Sequence, residues 1–182
     1  MTEKDILEVL IHSSSKPLTQ RDLNFVLNNK SVDISKIINE INKEYIKSRK
    51  GYRIEKISGG YQLLSLSEYH QYIERLHQSI KKPRFSKAAM ETLSIIAYKQ
   101  PVTRSEVEHI RGVDSTGVIK KLLDRGLIAI NGRDEDLGRA LLYITTSIFL
   151  ELFGLNSLRD LPTLEELTNL LEESEIPSVN IK

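Results

Sequence analysis

The chain has 182 residues, of which 40% are apolar and none is cysteine, and its formal net charge is +1. This length permits one domain or two small ones, and the absence of cysteine excludes disulfides, thiol nucleophiles and thiolate metal sites. No apolar run reaches the roughly 18 residues of a membrane-spanning helix. The charged side chains of Glu3, Lys4 and Asp5 are not typical of a signal peptide, so we expect a cytoplasmic protein.

The first part of the chain predicts three helices, each recognised by apolar side chains at helical spacing. The first covers residues 3–14. Thr19 and Asp22 have the spacing of a capping box in front of a second, shorter helix. Asp33 is the expected N-cap of a third helix, which carries isoleucine at positions 34, 37, 38 and 41.

The periodicity then changes to that of strands. Residues 52–57 and 61–66 predict two strands around Ser58-Gly59-Gly60, which is a hairpin signal. Residues 67–80 return to a helix, with Tyr69 and Tyr72 on its apolar stripe. These two tyrosines are either contacts between two copies of the chain or part of the first domain's core, and the pattern leaves both alternatives open.

Residues 88–113 predict two helices joined by a turn at Pro101. Thr103 and Glu106 form a second capping box, and Gly112 is the expected left-handed C-cap. The helix between them is expected to bury Val107 and Ile110. The residues expected to be exposed along this stretch are Tyr98, Lys99, Gln100, Arg104, Glu108 and Arg111.

The order of elements then continues as in the first half of the chain. Asp114 is the expected N-cap of a third helix that ends near Gly126. Two strands at 127–130 and 141–145 follow, with a last helix at 147–153. Farther on, Thr163 and Glu166 predict the start of an acidic helix. Its apolar face is formed by Leu164, Leu167, Leu170 and Leu171.

The segment KPLTQRDLNFVL at 16–27 matches QPVTRSEVEHIR at 100–111, and the matched order of elements argues against chance. Three helices followed by a two-stranded wing form the winged variant of helix-turn-helix. We therefore predict a mainly α fold with small β wings (α+β), built from two tandem winged-helix domains. They are expected at residues 1–80 and 86–155, with a basic linker at 81–85 and an acidic extension at 156–182.

The segments ETLSIIAYKQPVTRSEVEHIRGV, GLIAINGRDEDLGR and LLYITTSIFLELFGLNSLRDLP, together with GGYQL at 59–63, resemble the segregation and condensation protein B (ScpB) family. The resemblance covers roughly residues 5 to 170. Two departures concern the second wing, where Ala140 replaces the proline of the family's Gly-Arg-Pro and Ile144 stands where the family has glycine.

This resemblance implies a tandem winged-helix protein that forms a homodimer, mainly through its N-terminal domain, and binds the kleisin ScpA. The kleisin in turn closes the ring of the SMC ATPase, so the protein is expected to act at the nucleoid in chromosome condensation and segregation. On this basis we predict that five residues contact the kleisin or shape the contact with it: Tyr98, Gln100, Arg104, Glu108 and Arg111. The alternative for Arg104 and Glu108 is that they pair only with each other, since they are four residues apart. Tyr69 and Tyr72 are the candidate dimer contacts.

A winged-helix DNA-binding transcriptional regulator is the alternative function. The candidate DNA contacts are Lys81, Lys82, Arg84, Lys87, Lys120 and Lys121, supported by a net charge of +4 over residues 81–150. The alternative for the basic linker is a solvated tether between the domains, and we favour this alternative. The helices that would enter the major groove also carry Asn42 and Arg125. Because acidic residues accompany these bases, we expect direct DNA binding to be weak or absent.

No constellation of residues predicts catalysis. The histidines at positions 12, 70, 77 and 109 are scattered, and no phosphate-binding glycine motif is present. We therefore predict a non-enzymatic protein that needs no metal and no cofactor.

Overall fold

The structure is a computed structural model of the chain, and it describes residues 2–28, 32–77, 85–135, 138–163 and 165–166. The elements of residues 2–77, which we call the first unit, are α1 (Glu3–Ser13), β1 (Leu18–Thr19), α2 (Gln20–Leu27), α3 (Ile34–Lys47), β2 (Tyr52–Ile57), β3 (Gly60–Ser65), a 3-10 turn (Ser67–Tyr69) and α4 (His70–His77). The elements of residues 85–163, the second unit, are α5 (Lys87–Lys99), β4 (Val102–Thr103), α6 (Arg104–Arg111), α7 (Thr116–Asp124), β5 (Ile128–Arg133), β6 (Leu141–Thr145), α8 (Ser147–Phe153) and a 3-10 turn (Leu158–Asp160).

The two units repeat one order of elements, a helix, a short strand, two helices and a hairpin. Both second helices begin with the predicted capping box. The hydroxyl of Thr19 accepts the amide of Asp22, and the hydroxyl of Thr103 accepts the amide of Glu106. In both boxes the carboxylate accepts the amide of the threonine in return. The repeat predicted from the sequence is therefore a repeat of structure.

Each wing belongs to a sheet of three strands, in the orders β1-β3-β2 and β4-β6-β5. The sequence predicts only the hairpins, because β1 and β4 are two residues long. Leu18 pairs with Tyr61 in the first sheet, and Val102 pairs with Tyr143 in the second. Each short strand thus fixes the start of α2 or α6 against its own wing.

The two hairpins differ in regularity. The first turns at Ser58 and Gly59, whose φ angles of 51° and 75° match a tight two-residue turn. In the second wing the register shifts between Ile130 and Arg133, where Gly132 has a φ of 98°. This irregularity is a β-bulge in the edge strand β5.

Two separate hydrophobic cores hold the fold together. The core of the first unit consists of Leu7, Ile11, Leu23, Ile34, Ile38, Ile41, Tyr45, Ile54 and Tyr61. The core of the second unit consists of Leu93, Ile96, Ala97, Val102, Val107, Ile119, Leu122, Leu127, Ile128, Tyr143 and Phe149. Two cores, each enclosed by the same sequence of elements, establish two winged-helix units in one chain.

Three expectations for the second unit are wrong. Ile110 is not buried with Val107, because its side chain is 51% exposed on α6. Asp114 does not cap α7, since the N-cap is Ser115 and the Asp114 carboxylate accepts the hydroxyl of Thr116 instead. The side chain of Arg111 is only 6% exposed, although we expected it on the surface.

Candidate functional site

One face of α6 carries the predicted kleisin contacts Arg104, Glu108 and Arg111. In the structure this face lies against the start of α7. Arg104 donates to the hydroxyl of Thr116 over 3.1 Å, and its Nε lies 3.6 Å from the Glu108 carboxylate. Glu108 also accepts the amide of Ser115 over 3.0 Å. The pairing of Arg104 with Glu108, given above as the alternative to a kleisin contact, is therefore present, and both side chains hold the start of α7.

Arg111 extends this network into the interior of the second unit. Its guanidinium donates to the hydroxyl of Ser115 over 2.8 Å and lies 3.4 Å from the carboxylate of Glu91 on α5. Ser115 is fully buried, and the Nε of Arg111 is buried without a hydrogen-bond partner. The residue thus joins three helices, and little of its charge is presented to a partner.

The other two predicted contacts lie at the end of α5. Gln100 accepts the amide and the hydroxyl of Thr145 on β6, at 2.7 and 3.0 Å. Tyr98 is 44% exposed, and its hydroxyl donates to the carbonyl of Pro162 over 2.8 Å. Gln100 therefore anchors α5 to the second sheet, and Tyr98 holds the segment that follows the second unit.

The opposite face of α6 borders an open groove that the sequence did not indicate as a site. The groove has a volume of about 420 Å³ and is lined by Lys99, Val102, Ser105, Glu106, His109 and Ile110. Its apolar part combines buried Val102 with half-exposed Ile110, and Lys99 and His109 supply polar groups around it. We call this feature the α6 groove. Ile110, which we expected to be buried, is one of its lining residues.

In the capping box beside this groove, the pKa of Glu106 is held below its usual value. The amide of Thr103 contributes most to this shift, and its hydroxyl contributes next. The carboxylate is therefore kept charged and bound to Thr103, where it fixes the N terminus of α6.

The two candidate dimer contacts, Tyr69 and Tyr72, differ in what surrounds their side chains. The ring of Tyr69 approaches the backbone of Gly51 so closely that a Cβ atom there would come within 2.8 Å of it. Tyr72 and Leu76 on α4 are 59% and 76% exposed. Tyr69 thus packs on Gly51 but remains 41% exposed, and Tyr72 and Leu76 form an exposed apolar stripe on α4.

The structure describes only some of the basic residues that are candidates for DNA contact. Lys81, Lys82 and Arg84 lie outside the described residues. Lys87, Lys120 and Lys121 are exposed, at the start of α5 and along α7. Two further residues of the helices considered for DNA binding are engaged within the chain. Arg125 stacks over the ring of Phe85 at 5.0 Å, and Asn42 forms two hydrogen bonds with the backbone of Ile54.

Among the residues that the structure describes, no group of three or more histidine, aspartate or glutamate side chains could hold a metal ion. Over the same part of the chain, no helix is long and apolar enough to cross a membrane.

Taken together, the two repeated units define a tandem winged-helix protein. A family model described as "Segregation and condensation complex subunit ScpB" matches residues 5–164. The chain is 42% identical over 172 residues to segregation and condensation protein B of Syntrophotalea carbinolica, covering 94% of this chain and 87% of the relative. The protein of the same name from Moorella thermoacetica is 42% identical over 168 residues, covering 92% and 86%. Among solved structures, ScpB from Mycobacterium tuberculosis is 31% identical, covers 84% of this chain and 95% of its own, and superposes with a TM-score of 0.40.

The chain belongs to the ScpB family of chromosome segregation and condensation proteins. The resemblance stated from the sequence is therefore confirmed.

Proposed function

We propose that the protein is a non-enzymatic, dimeric adaptor of the SMC–kleisin complex and that it binds the kleisin ScpA through the second unit. The single observation that carries this proposal is the α6 groove, where Ile110 remains half exposed beside the core residue Val102. Family membership supplies the chromosomal process and, through the resemblance, the kleisin as the partner. Action in the cytoplasm at the nucleoid is part of the same proposal.

The chemistry of the groove suits a peptide segment with apolar side chains. Binding surfaces combine an apolar centre with a polar rim, and a contiguous exposed apolar patch is a common sign of one. Ile110 supplies the exposed part of such a centre beside buried Val102, and Lys99 and His109 can bind carbonyl or carboxylate groups of the bound segment. The rest of α6 is held by the Arg104, Glu108 and Arg111 network, so the groove is preformed.

In this proposal the five predicted residues have two kinds of role. Gln100, Arg104, Glu108 and Arg111 shape the site, because their contacts fix the ends and the inner face of the helices around it. Tyr98 is a direct contact candidate, since 44% of it is exposed.

The test compares two substitutions of the same kind on equally exposed side chains. Ile110→Glu places a charge in the α6 groove, whereas Val113→Glu places one at a position that is 54% exposed and does not line the groove. Titration calorimetry with ScpA should show at least about tenfold weaker binding for Ile110→Glu, or about 1.4 kcal/mol. Val113→Glu should bind normally. Equal affinities for the two variants would contradict the location of the site.

The same proposal assigns self-association to the first unit. The support is the apolar stripe of Tyr72 and Leu76 on α4, because two copies of such a stripe can cover each other across a two-fold axis. Tyrosine is also enriched in protein interfaces. Tyr69, which packs on Gly51 and is 41% exposed, is a further candidate contact.

DNA binding is the second candidate, and the exposed Lys120 and Lys121 on α7 favour it. A helix in the major groove needs free Arg, Lys or Asn side chains that reach base edges. Here Arg125 is stacked on Phe85, and Asn42 is bonded to β2. Contacts limited to phosphates would give weak binding that falls steeply with salt, and a mobility-shift titration at two salt concentrations tests this.

A further inference from the structure

The turn of the first wing contacts the second unit directly. The amide of Ser58 donates to the carbonyl of Leu155 over 2.9 Å, and the Ser58 hydroxyl donates to the carbonyl of Ser147 over 3.3 Å. The amide of Gly59 donates to the side-chain oxygen of Asn156 over 3.1 Å. Ser147 is the first residue of α8, and Leu155 and Asn156 follow its C-terminal end, so one turn of the first unit contacts both ends of that helix.

The geometry of the turn leaves backbone amides available for a contact with the second unit. In a two-residue hairpin turn, the amides of the two central residues point outward and have no partner in the hairpin itself. Here these are the amides of Ser58 and Gly59, and both donate to the second unit. Backbone amides without a partner are unfavourable unless water or another group satisfies them, so docking gives both donors a protein acceptor.

The side chain next to the turn is an independent sign of the same contact. Ile57 is only 4% exposed, which is nearly as buried as Ile54 at 3%. Ile54 is a member of the first core, but Ile57 belongs to neither core. Because Ile57 immediately precedes the docked turn, the second unit is the natural source of its burial.

We propose that the first wing is a latch that holds the two winged-helix units in one orientation. Its residues Ile57, Ser58 and Gly59 dock against α8 and against Leu155 and Asn156, which follow that helix. The latch is distinct from the α6 groove, since none of its residues lines that groove. The proposal therefore does not depend on kleisin binding. Its functional consequence is that the direction of the α6 groove relative to the first unit is set while the wing is docked and is released when it undocks.

Distance measurements on labelled protein test the latch, and the natural absence of cysteine makes the labelling specific. Spin labels at Lys47→Cys in the first unit and Asp124→Cys in the second report the distance between the units. Labelled chains are mixed with an excess of unlabelled protein, so that only distances within one chain are detected. We expect a single narrow distance distribution for this protein.

The latch variant combines Ile57→Ser with Asn156→Ala, and its narrow distribution should be lost. The matched control combines Ile46→Ser with Asn131→Ala, which makes the same chemical changes at exposed positions and should keep the narrow distribution. A distribution that is already broad without these substitutions would overturn the proposal. A latch variant that stays as narrow as the control would overturn it as well.

A cross-link provides a second measurement in case the latch variant folds poorly. Ser58→Cys with Asn156→Cys places two thiols at the docked turn, and oxidation should join them within one chain. Mass spectrometry then detects the loss of both free thiols. The same treatment of Ser58→Cys with Asn131→Cys should leave both thiols free. Equal reaction of the two pairs, or no reaction of the first, would contradict the docked arrangement.

Discussion

The guanidinium of Arg111 donates a hydrogen bond of 2.8 Å to the hydroxyl of Ser115, the N-cap residue of α7. The same guanidinium lies 3.4 Å from Glu91 on α5, so one side chain connects α5, α6 and α7 of the second unit. A buried charge is tolerated when it is paired and hydrogen-bonded, and the Arg111 guanidinium has both an ion pair and a hydrogen bond, although its Nε has no hydrogen-bond partner. These contacts explain how the charged side chain of Arg111 can be buried.

We predict that Arg111→Met lowers the free energy of unfolding by about 2 kcal/mol, because charge-assisted hydrogen bonds are lost. Glu91→Ala alone should also destabilise the protein, since it leaves the buried guanidinium without its counter-charge. In the Arg111→Met background the effect of Glu91→Ala should largely disappear. Urea denaturation of the four proteins measures this coupling, and additive effects would contradict it.

We predict that Gln100→Ala lowers the free energy of unfolding by about 1–3 kcal/mol, because the amide of Thr145 loses its acceptor. Gln100→Glu is the matched variant, since it keeps an acceptor for Thr145 and loses only the donor to Ala97. Thermal denaturation should therefore place Gln100→Glu between the unsubstituted protein and Gln100→Ala. Equal losses of stability for the two variants would show that the hydrogen bond to Thr145 is not what stabilises the protein.

The capping box of α6 predicts a dependence of stability on pH. The pKa of Glu106 is lowered in the folded state, chiefly by the Thr103 amide, so the charged carboxylate favours folding. This stabilisation is complete above the ordinary pKa of glutamate and is lost as the pH falls through the lowered pKa. Glu106→Gln should therefore melt at a lower temperature at neutral pH, and the difference should shrink toward about pH 3.

The control for this experiment is Glu135→Gln, which removes an exposed carboxylate of the second wing. Differential scanning calorimetry at several pH values should show little difference between this variant and the unsubstituted protein. A Glu106→Gln deficit that stays constant from neutral to acid pH would contradict the assignment to the carboxylate.

The dimer proposal predicts that Tyr72→Lys with Leu76→Lys halves the mass measured by light scattering, because like charges would then face each other across the two-fold axis. Ile46→Lys is the control, since it adds a charge at a side chain of α3 that is 55% exposed. If the double variant remains dimeric, the interface does not lie on α4. Retained helical circular dichroism would confirm that the double variant is folded.

The local part of this fold could be predicted from the sequence, because capping residues and helical spacing act within one turn. Thr103, Glu106 and Gly112 fix the limits of α6 as predicted, with Gly112 at a φ of 71°. Asp33 likewise caps α3 through the amide of Lys36. The Ser58-Gly59 turn and both wings follow from equally local signals.

The nonlocal part could not be predicted in the same way. The helical spacing of Ile110 matches that of a core residue, but the packing of α6 against α5 leaves it beside the groove. Arg111 is polar, yet its length lets it reach Glu91 on another helix. The hairpin signal gave no sign that Leu18 and Val102 would each add a strand, because a two-residue strand has no periodicity. The residues that line a groove formed by several elements could therefore be identified only from the structure.

The β-bulge in β5 has a consequence for the behaviour of the protein at high concentration. A regular edge strand offers a row of alternating donors and acceptors to which a strand of another molecule can add, and such edges promote aggregation. In β5 the register shift between Ile130 and Arg133 interrupts this row, and Gly132 turns the chain out of line. The second wing thereby exposes an edge that is poorly suited to continuous pairing with strands of other molecules.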